Sequence, residues 1–549
     1  MIRVISPDQA VEELVSGTTG ERMDGGFDAA SRVDRMLATW DAPLQSADAD
    51  ILPGKPIMDG RARDALRNDG YVAAGSTIRK DRIVGAMFML NSKPDARVLG
   101  LDEDWAQEFQ AEVESKFTLY AESPECWIHA GRKMTFTDII RLAVGMDVAA
   151  GEFLATAEWL RDSGRPYHTA IQVVDVDRLS TPFGETENSR LRGGVHMDKW
   201  GAPKGYYIRN AHPADWFNAE SYTWKYVPAR KPWGRAQVIH NYEVMRPDQT
   251  RGLSEMVTAL KEIRITRRFR DVTLQNAVLN ATYAASIESD MPSEAVYGML
   301  GGGEGDVGGA LEKYATQYLG AVAKYSGNAR NLQLDGVKIP HLFPGTKLNL
   351  QPVKDDNNAG SDFEKSLLRY IAAALHVDYH ELSHDFSDAN YSNLKASLAA
   401  TGRTMAAKKR RCADRVATII YRLWLEEAIN KGDIQSMPRN APSWYDGLNA
   451  DAYSHCAWIG ATMGQIDELK ETQAAVLRLK YQLSTREDEA ARLGKDWRKL
   501  LIQAEREEKE MIERGLVVEE ANAINAASGT PRESGVEGEN TGSEEDTDV

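Results

Sequence analysis

The chain has 549 residues, a formal net charge of −16, 42% hydrophobic residues and 27% charged residues, which is ordinary for a globular protein of roughly two to four domains. It contains no apolar run of about 18 residues, so no membrane span is expected, and its first residues lack the basic and apolar segments of a secretory signal. Its three scattered cysteines exclude a disulfide framework or a zinc ribbon, and its negative charge argues against tight binding of nucleic acid through phosphates.

The first half of the chain is predicted to pass from a flexible arm to helices and then to strands. Residues 1–58 are expected to be a flexible N-terminal arm. Residues 101–166 show helical apolar spacing. Residues 167–245 contain alternating and β-branched segments separated by Gly and Pro turns, with a hairpin connection at Gly201 to Gly205. The region 59–250 is therefore predicted to be helical first and β-rich afterwards.

A long helix is predicted over 254–287, because apolar residues recur there at roughly helical spacing. Its basic residues are Lys261, Arg264, Arg267, Arg268 and Arg270. Such a run is usually a solvated or acid-paired face, and the functional alternative is a subunit contact or a channel lining.

The glycine-rich stretch 301–309 could be suspected of binding phosphate. It lacks the Gly-Lys-Ser/Thr ending of a phosphate-binding loop and has no apolar strand before it. A flexible insertion is therefore the better interpretation, and no cofactor is expected. Residues 331–352, which follow, are typical of short strands around a Pro-Gly turn.

Residues 363–430 contain two helical runs that flank a polar loop. The first run has apolar residues at four-residue spacing, and the second carries Met405, Cys412, Val416 and Leu423. The loop is rich in turn-forming and helix-capping residues. The candidate functional residues in it are His384, Asp385, Phe386, Ser387, Asp388, Asn390, Tyr391 and Asn393.

A zinc-peptidase signature, H-E-x-x-H, is present at His380, Glu381 and His384. That chemistry requires both histidines on one face of a continuous helix, with the glutamate directed at a metal-bound water. The apolar stripe stops at Leu375, and loop-forming residues follow the motif. Polar residues at a helix end are therefore the favoured interpretation, and a metallopeptidase is the alternative.

The C-terminal part is predicted to be helical and then disordered. Residues 441–519 are rich in helix-forming residues, whereas 520–549 have little apolar content and end in an acidic run. Such a composition is typical of a disordered acidic tail.

Several phrases of the chain resemble those of the portal proteins of lambda-type tailed bacteriophages, in the same order. The family phrase Y-x-x-L-S-x-D-[FY]-S is matched by Tyr379, Leu382, Ser383, Asp385, Phe386 and Ser387. The phrase R-P-G-Q-x-R-G is matched at 246–252, with Asp248 at the position where glycine is common. The resemblance covers most of 59–515.

The resemblance implies an α+β fold, mainly α with a β-rich module, in a ring subunit with wing, stem, clip and crown. It implies a wing at 59–250, a stem helix and clip at 251–360, and a second stem helix, channel loop and long helix at 361–440. Residues 441–519 would form a helical wing or crown region. The loop residues above would then line a channel, and the basic residues of 254–287 would form a face of the stem.

The function implied is that of a ring of twelve subunits at one capsid vertex, through which genomic DNA is packaged and ejected. The implied partners are further copies of the chain, the large terminase, head-completion or tail adaptor proteins, capsid or scaffold protein, and double-stranded DNA held weakly. The implied location is the virion, and the host cytoplasm during assembly. No catalytic residue, cofactor or metal is expected. Another structural virion protein without a DNA channel is a further alternative.

Overall fold

The computed structural model of the protein describes residues 43–283, 316, 331–334, 337–340, 359–387, 390–462 and 467–515. Most of the predicted arm, the glycine-rich insertion at 301–309, the acidic tail at 520–549 and Asp388 lie outside these residues. None of the described helices is both long and apolar enough to cross a lipid bilayer.

Helices form most of the described structure. They are α1 (Ala47–Ile51), α2 (Lys55–Asn68), α3 (Gly70–Ile83), α4 (Ala96–Leu99), α5 (Glu103–Ala121), α6 (Phe136–Ala150), α7 (Leu260–Tyr283), α8 (Ala359–Leu375), α9 (Tyr379–Ser383), α10 (Tyr391–Lys408), α11 (Arg415–Lys431), α12 (Asn449–Tyr453), α13 (Glu468–Lys480), α14 (Arg486–Arg492) and α15 (Trp497–Glu513). A π-helical segment, Lys409–Asp414, joins α10 to α11. The second run predicted from the sequence is therefore one long helix with a π-helical interruption.

Strands form small antiparallel sheets. They are β1 (Met89–Ser92), β2 (Glu152–Trp159), β3 (Thr169–Val174), β4 (Leu191–Arg192), β5 (Val195–Met197), β6 (Pro203–Arg209), β7 (Trp224–Pro228), β8 (Val238–Tyr242), β9 (Asn331–Leu334), β10 (Val337–Pro340) and β11 (Cys456–Ile459). One sheet has the order β3-β2-β8 and another has the order β4-β5-β6-β7. Strand β1 pairs with β11, which brings the two ends of the main body together.

The prediction of an α+β fold with a β-rich module is confirmed, but one boundary within it was wrong. Residues 101–166 were predicted to be helical, whereas β2 occupies Glu152–Trp159. Helix α6 ends because Gly151 adopts a left-handed backbone conformation with φ 75°. The first six residues of β2 are buried, and a short apolar run of this kind does not distinguish strand from helix by spacing.

Three other boundaries differ from the sequence predictions. The helix predicted from 254 begins with a 3-10 turn at Glu255–Ala259 before α7. The hairpin connection lies between Met197 and Pro203, so Gly205 is inside β6. Strands β9 and β10 are joined before the predicted Pro-Gly turn at 344–345, which lies outside the described residues.

The main core lies between the N-terminal helices and α11. Phe117 on α5 packs edge-on against Trp424 on α11, with ring centroids 5.2 Å apart, and Trp458 on β11 lies 5.2 Å from Phe136. A second, smaller core joins the two larger sheets through residues such as Leu154 and Tyr206. Aromatic pairs in edge-on or tilted geometry add to the stabilisation from burial, so α11 is held firmly in the body.

Candidate functional site

The predicted channel loop follows a short helix, α9, whose start is anchored by Asp378. Asp378 caps α9, because its carboxylate accepts the backbone N–H groups of His380 and Glu381 at 2.9 and 3.2 Å. The hydroxyl of Ser397 on α10 also donates to Asp378. Asp378 therefore ties the start of α9 to the long helix beyond the loop.

The loop itself is shorter than predicted. Asn390 caps α10 by accepting the backbone N–H of Asn393 at 2.9 Å, so Tyr391 and Asn393 belong to the first helical turn. Asp385 accepts the hydroxyl and the backbone N–H of Ser387 at 2.6 and 3.1 Å, and these hydrogen bonds lower the pKa of Asp385. The loop therefore carries a fixed negative charge in a local turn.

Two aromatic side chains lie exposed at this loop. Phe386 is stacked on the ring of His380 at 6.3 Å between centroids. Tyr391 lies beneath the ammonium groups of Lys395, at 5.7 Å, and Lys470, at 6.0 Å. The loop thus presents polar groups and exposed rings, a surface suited to weak contacts with a polymer or a protein.

The geometry does not support the zinc-peptidase alternative. Helix α9 has one turn and ends at Ser383, and His384 has a left-handed backbone with φ 54°, so the two histidines do not lie on one continuous helix. The Nε–H of Arg82 is shared between the two carboxylate oxygens of Glu381, at 2.9 and 3.0 Å, and His380 Nδ1 lies 2.9 Å from the carbonyl oxygen of Asp385. The glutamate is therefore engaged in an ion pair between helices.

Among the described residues, the ligand atoms of Asp175, Asp177 and His212 lie close enough to hold a metal ion. The guanidinium of Arg63 already pairs with both carboxylates there. The cluster is an ion-pair network at the surface, and it does not include the histidines of the H-E-x-x-H motif.

The predicted basic face of α7 contains four exposed cations and one, Arg270, that pairs with a neighbouring helix. Lys261, Arg264, Arg267 and Arg268 are exposed and form no ion pair with other described residues. Arg270 differs, because its guanidinium pairs with Glu364 of α8 at 2.7 Å and lies 4.5 Å from the ring centroid of Tyr71. Arg270 therefore joins α7 to its neighbours and does not belong to the open face.

The sequence analysis missed a buried ionic cluster around Glu152, here called the Glu152 cluster (Lys55, Asp59, Glu152, His240 and Arg251). Arg251 donates to Glu152 at 2.6 Å, and Lys55 and His240 lie 3.3 and 3.0 Å from its oxygens. Burial alone would raise the pKa of Glu152, but Arg251 and Lys55 lower it well below the usual range. The sequence signals for it were Arg251, which lies in the phrase at 246–252, and His240, whose pattern favours a structural histidine at a strand end.

A second cluster, here called the Glu255 cluster (Arg79, Asp147, Glu255, Lys408 and Arg411), was also missed. Arg79 is fully buried and pairs with Asp147 at 3.0 Å and Glu255 at 2.9 Å. Lys408 also pairs with Glu255, and Arg411 pairs with Asp147 at 2.8 Å. The cluster joins α3, α6, the turn before α7, and the π-helical segment, so it fixes the root of α7 against the long helix.

Comparisons with known proteins agree on one family. The model of the family described as "Phage portal protein, lambda family" matches residues 33–409. The "Portal protein" of Escherichia phage N15 is 36% identical over 483 residues, which cover 88% of this chain and 89% of that protein. "Portal protein B" of Escherichia phage lambda is 34% identical over 501 residues, 91% of this chain and 92% of that protein.

Solved structures with some similarity come from gene transfer agent particles. "Neck of empty GTA particle computed with C6 symmetry" includes a chain with TM-score 0.37 and 13% identity, covering 84% of this chain and 98% of that chain. "Virion of native gene transfer agent (GTA) particle" includes one with TM-score 0.36 and 12% identity, covering 79% of this chain and 92% of that chain.

Proposed function

Because the chain belongs to the lambda family of phage portal proteins, we propose that it forms the ring at one capsid vertex through which genomic DNA is packaged and ejected. The observation that carries this proposal is the identity of 36% and 34% to two portal proteins over most of both chains. Twelve copies are expected, joined by head-to-tail interfaces that close into a ring. The ring would be part of the virion and would assemble in the host cytoplasm.

The partners proposed for this ring follow from its place at the vertex. During packaging it would dock the large terminase, and afterwards head-completion or tail adaptor proteins. Its outer part would contact capsid or scaffold protein, and double-stranded DNA would pass through its centre. A formal net charge of −16 fits weak contact with DNA, because repulsion of phosphates lets a duplex slide.

We assign parts of the ring to the segments of the chain. Residues 59–250 would form the wing, α7 a stem helix, and the segment up to about residue 360 the clip. Helix α8 would be the second stem helix, followed by the channel loop and the long helix. Residues 441–519 would form upper wing and crown. The exposed loop residues His384, Phe386, Ser387 and Asn390, together with the exposed cations of α7, are the surfaces that support these placements.

The first test is the shape of the purified assembly. Negative-stain microscopy, together with size-exclusion chromatography and light scattering, should show rings with a hole wide enough for a duplex, and twelve subunits are expected. Monomers or dimers at all protein and salt concentrations would contradict the proposal.

The second test concerns the loop. Deleting 387–389 shortens the loop and spares the Asn390 cap of α10, so ring formation should be unchanged. DNA protected from nuclease per head should decrease, because the loop would no longer reach the DNA. Loss of rings would make the loop structural, and normal rings with normal DNA content would place it away from the channel.

A matched control in the same region is Glu381→Gln. The variant keeps the shape of the side chain beside Arg82, so rings and packaging should both be retained. If packaging were abolished and the wild-type protein held stoichiometric zinc, the metallopeptidase alternative would be restored.

The exposed cations of α7 can be tested by replacing Lys261 and Arg264 with glutamate. Failure of ring assembly would assign this face to a subunit contact. Normal rings that package less DNA would assign it to the channel lining. If both readouts were normal, the face would be a solvated surface.

A further inference from the structure

The C-terminal segment 467–515 consists of helices that are well defined locally and poorly buried. Asp467 caps α13, Asp496 caps α15, and Thr485 forms a capping box with Asp488 at the start of α14. Glu487 of α14 attaches the segment to the body, since it pairs with Lys93 at 2.8 Å and accepts from Asn91 at 2.6 Å. Within the described structure, α13 and α15 have no buried residue.

Large apolar side chains of this segment are 42% to 76% exposed. They are Leu469, Val476, Leu477, Tyr481, Leu483, Leu493, Leu500, Leu501, Ile502 and Ile512. On α15 an apolar stripe recurs at helical spacing, through Trp497, Leu500, Leu501, Ala504 and Met511. An amphipathic helix gains most of its stability from packing of that stripe, so a partner for it is required.

The polar face of α15 already has its partners inside the helix. Lys509 pairs with Glu505 at 2.6 Å, Arg514 pairs with Glu510, and Gln503 donates to Glu507 at 2.7 Å. Pairs at this spacing stabilise an exposed helix face. The side of α15 that lacks a partner is therefore the apolar one.

The cap residues of α15, Asp496 and Arg514, carry charges that suit a lone helix, but the charges inside its first and last turns are the opposite ones. Arg498 and Lys499 lie in its first turn and Glu510 and Glu513 in its last, whereas the helix dipole favours acidic residues at the start and basic residues at the end. Helix α13 has the favourable order, with Glu468 and Glu471 first and Arg478 and Lys480 last. Side by side and parallel, the two helices would place opposite charges together at both ends.

We propose that α15 of each copy packs in parallel along α13 of the next copy, so that the apolar stripe is buried between neighbouring subunits. This inference rests on the proposed ring, because a head-to-tail contact of this kind closes only in a cyclic assembly. This one contact explains both the exposed apolar residues and the reversed charge order of α15. Residues 467–515 lie outside the part matched by the family model, which ends at 409.

Cysteine cross-linking tests the contact and its direction. In a parallel arrangement, Leu469→Cys on α13 and Leu500→Cys on α15 lie at the same end, and oxidation should give a ladder of linked subunits. The matched control pairs Leu469→Cys with Ile512→Cys, which would be about 18 Å away along α15, and should give little cross-linking. Each single-cysteine variant controls for reaction with Cys126 or Cys456.

The outcomes separate this inference from the ring itself. A wild-type protein that forms no rings would refute the proposed function. Rings without the parallel cross-link, or a cross-link within one chain, would overturn the inference alone. A chain ending at Gly515 should cross-link equally well, and loss of the ladder on that truncation would assign the apolar stripe to residues 516–549.

Charge reversal gives a second test, at Lys499, which is exposed, and at Glu471, which is half-buried. Lys499→Glu should raise the protein concentration needed for assembly by roughly fivefold, since an exposed ion pair contributes up to about 1 kcal/mol. Adding Glu471→Lys should restore assembly, because the pair is re-formed with exchanged charges. Lys509→Glu is the matched control, because both lysines have a local acidic partner, Asp496 for Lys499 at 4.0 Å and Glu505 for Lys509 at 2.6 Å. Lys509 lies in the far half of α15, away from Glu471 in the parallel arrangement, so this change should leave assembly unchanged. Equal effects of the two reversals would overturn the parallel contact.

Discussion

The body of the molecule, residues 47–459, differs from the C-terminal helices at 467–515 in which side chains are buried. In the body even charged groups are buried, as Glu152 and Arg79 show, and each has its partners within the chain. In the C-terminal helices even large apolar groups are exposed, and Ala490 is the buried residue among those described. The body therefore has an extensive core within one copy, although it also exposes large side chains such as Trp200 and Phe217. The C-terminal helices are formed locally and have almost no core of their own.

The difference follows from where the interaction partners lie in the sequence. Lys55, Glu152 and Arg251 come from distant parts of the chain and stabilise it only when the body has folded. The caps of α13 and α15 come from adjacent residues and need no tertiary structure. A segment with strong local signals and no internal core is suited to complete its packing on assembly, when a second surface becomes available.

The largest effect is expected from neutralising the buried acid of the Glu152 cluster. Glu152→Gln keeps the shape but leaves Arg251 and Lys55 without their main counter-charge, which should cost about 3–5 kcal/mol of unfolding free energy. Denaturant unfolding of the unassembled chain measures this loss of unfolding free energy. The control is Glu158→Gln on the same strand, where the side chain is only half-buried. If Glu152→Gln and Glu158→Gln lowered the unfolding free energy equally, burial would not explain the importance of Glu152.

A backbone substitution tests how tightly the body is packed at the same place. A Cβ on Gly151, whose φ is +75°, would lie 2.1 Å from the carbonyl carbon of Leu253. Gly151→Ala should therefore cost about 3 kcal/mol, from the left-handed backbone and the steric contact together. Gly164→Ala has a similar φ of +81° and no atom within 4 Å, so it should cost about 1 kcal/mol. The unfolding midpoints of the two variants would be indistinguishable if the packing were loose.

The fold class could be predicted from the sequence because periodicity and turn residues are local signals. The boundary at Gly151 could not, since an apolar run buried on both sides looks alike in a helix and a strand. The Glu152 and Glu255 clusters were missed because their members are far apart in the chain, and a lone charged residue carries no sign of burial.

The candidate site was predicted in outline and not in detail. A channel role for the loop at 384–393 stays a prediction; in the structure Asn390 caps α10 and so places Tyr391 in the helix. A functional role for the basic run of α7 also stays a prediction; four of its cations are exposed, and Arg270 pairs with Glu364, which lies beyond an intervening segment. A polar residue can serve as loop or cap, and the backbone N–H groups just after it decide which. A cation can serve as open face or ion pair, and there the tertiary partner decides.

A pH effect of intermediate size should come from Asp59. Burial raises the pKa of its carboxyl to about 6, although Lys55 acts to lower it, and the Oδ1 atom has no hydrogen-bond partner among the described residues. Between pH 4 and 6 the folded chain therefore holds a proton that the unfolded chain has released, and stability should fall as pH rises, by about 2 kcal/mol. Asp59→Asn should remove this slope and cost little at pH 7. If the unfolding free energy of Asp59→Asn still fell with pH between pH 4 and 6, another group would be responsible for the pH dependence.

The smallest effect on a single copy is expected in the C-terminal helices, where one substitution can be compared directly with its equivalent in the body. Leu425 on α11 is 0% exposed and Leu501 on α15 is 50% exposed. Leu425→Ala should cost about 2–5 kcal/mol, because it removes buried contacts and leaves a cavity. Leu501→Ala should change the unfolding free energy of the unassembled chain by less than about 0.5 kcal/mol, while it should raise the protein concentration needed for assembly. Denaturant unfolding below the assembly concentration, followed by light scattering above it, separates the two readouts. If Leu501→Ala destabilised the single copy as much as Leu425→Ala, the apolar stripe of α15 would be buried within one chain, and the contrast between the two regions would be lost.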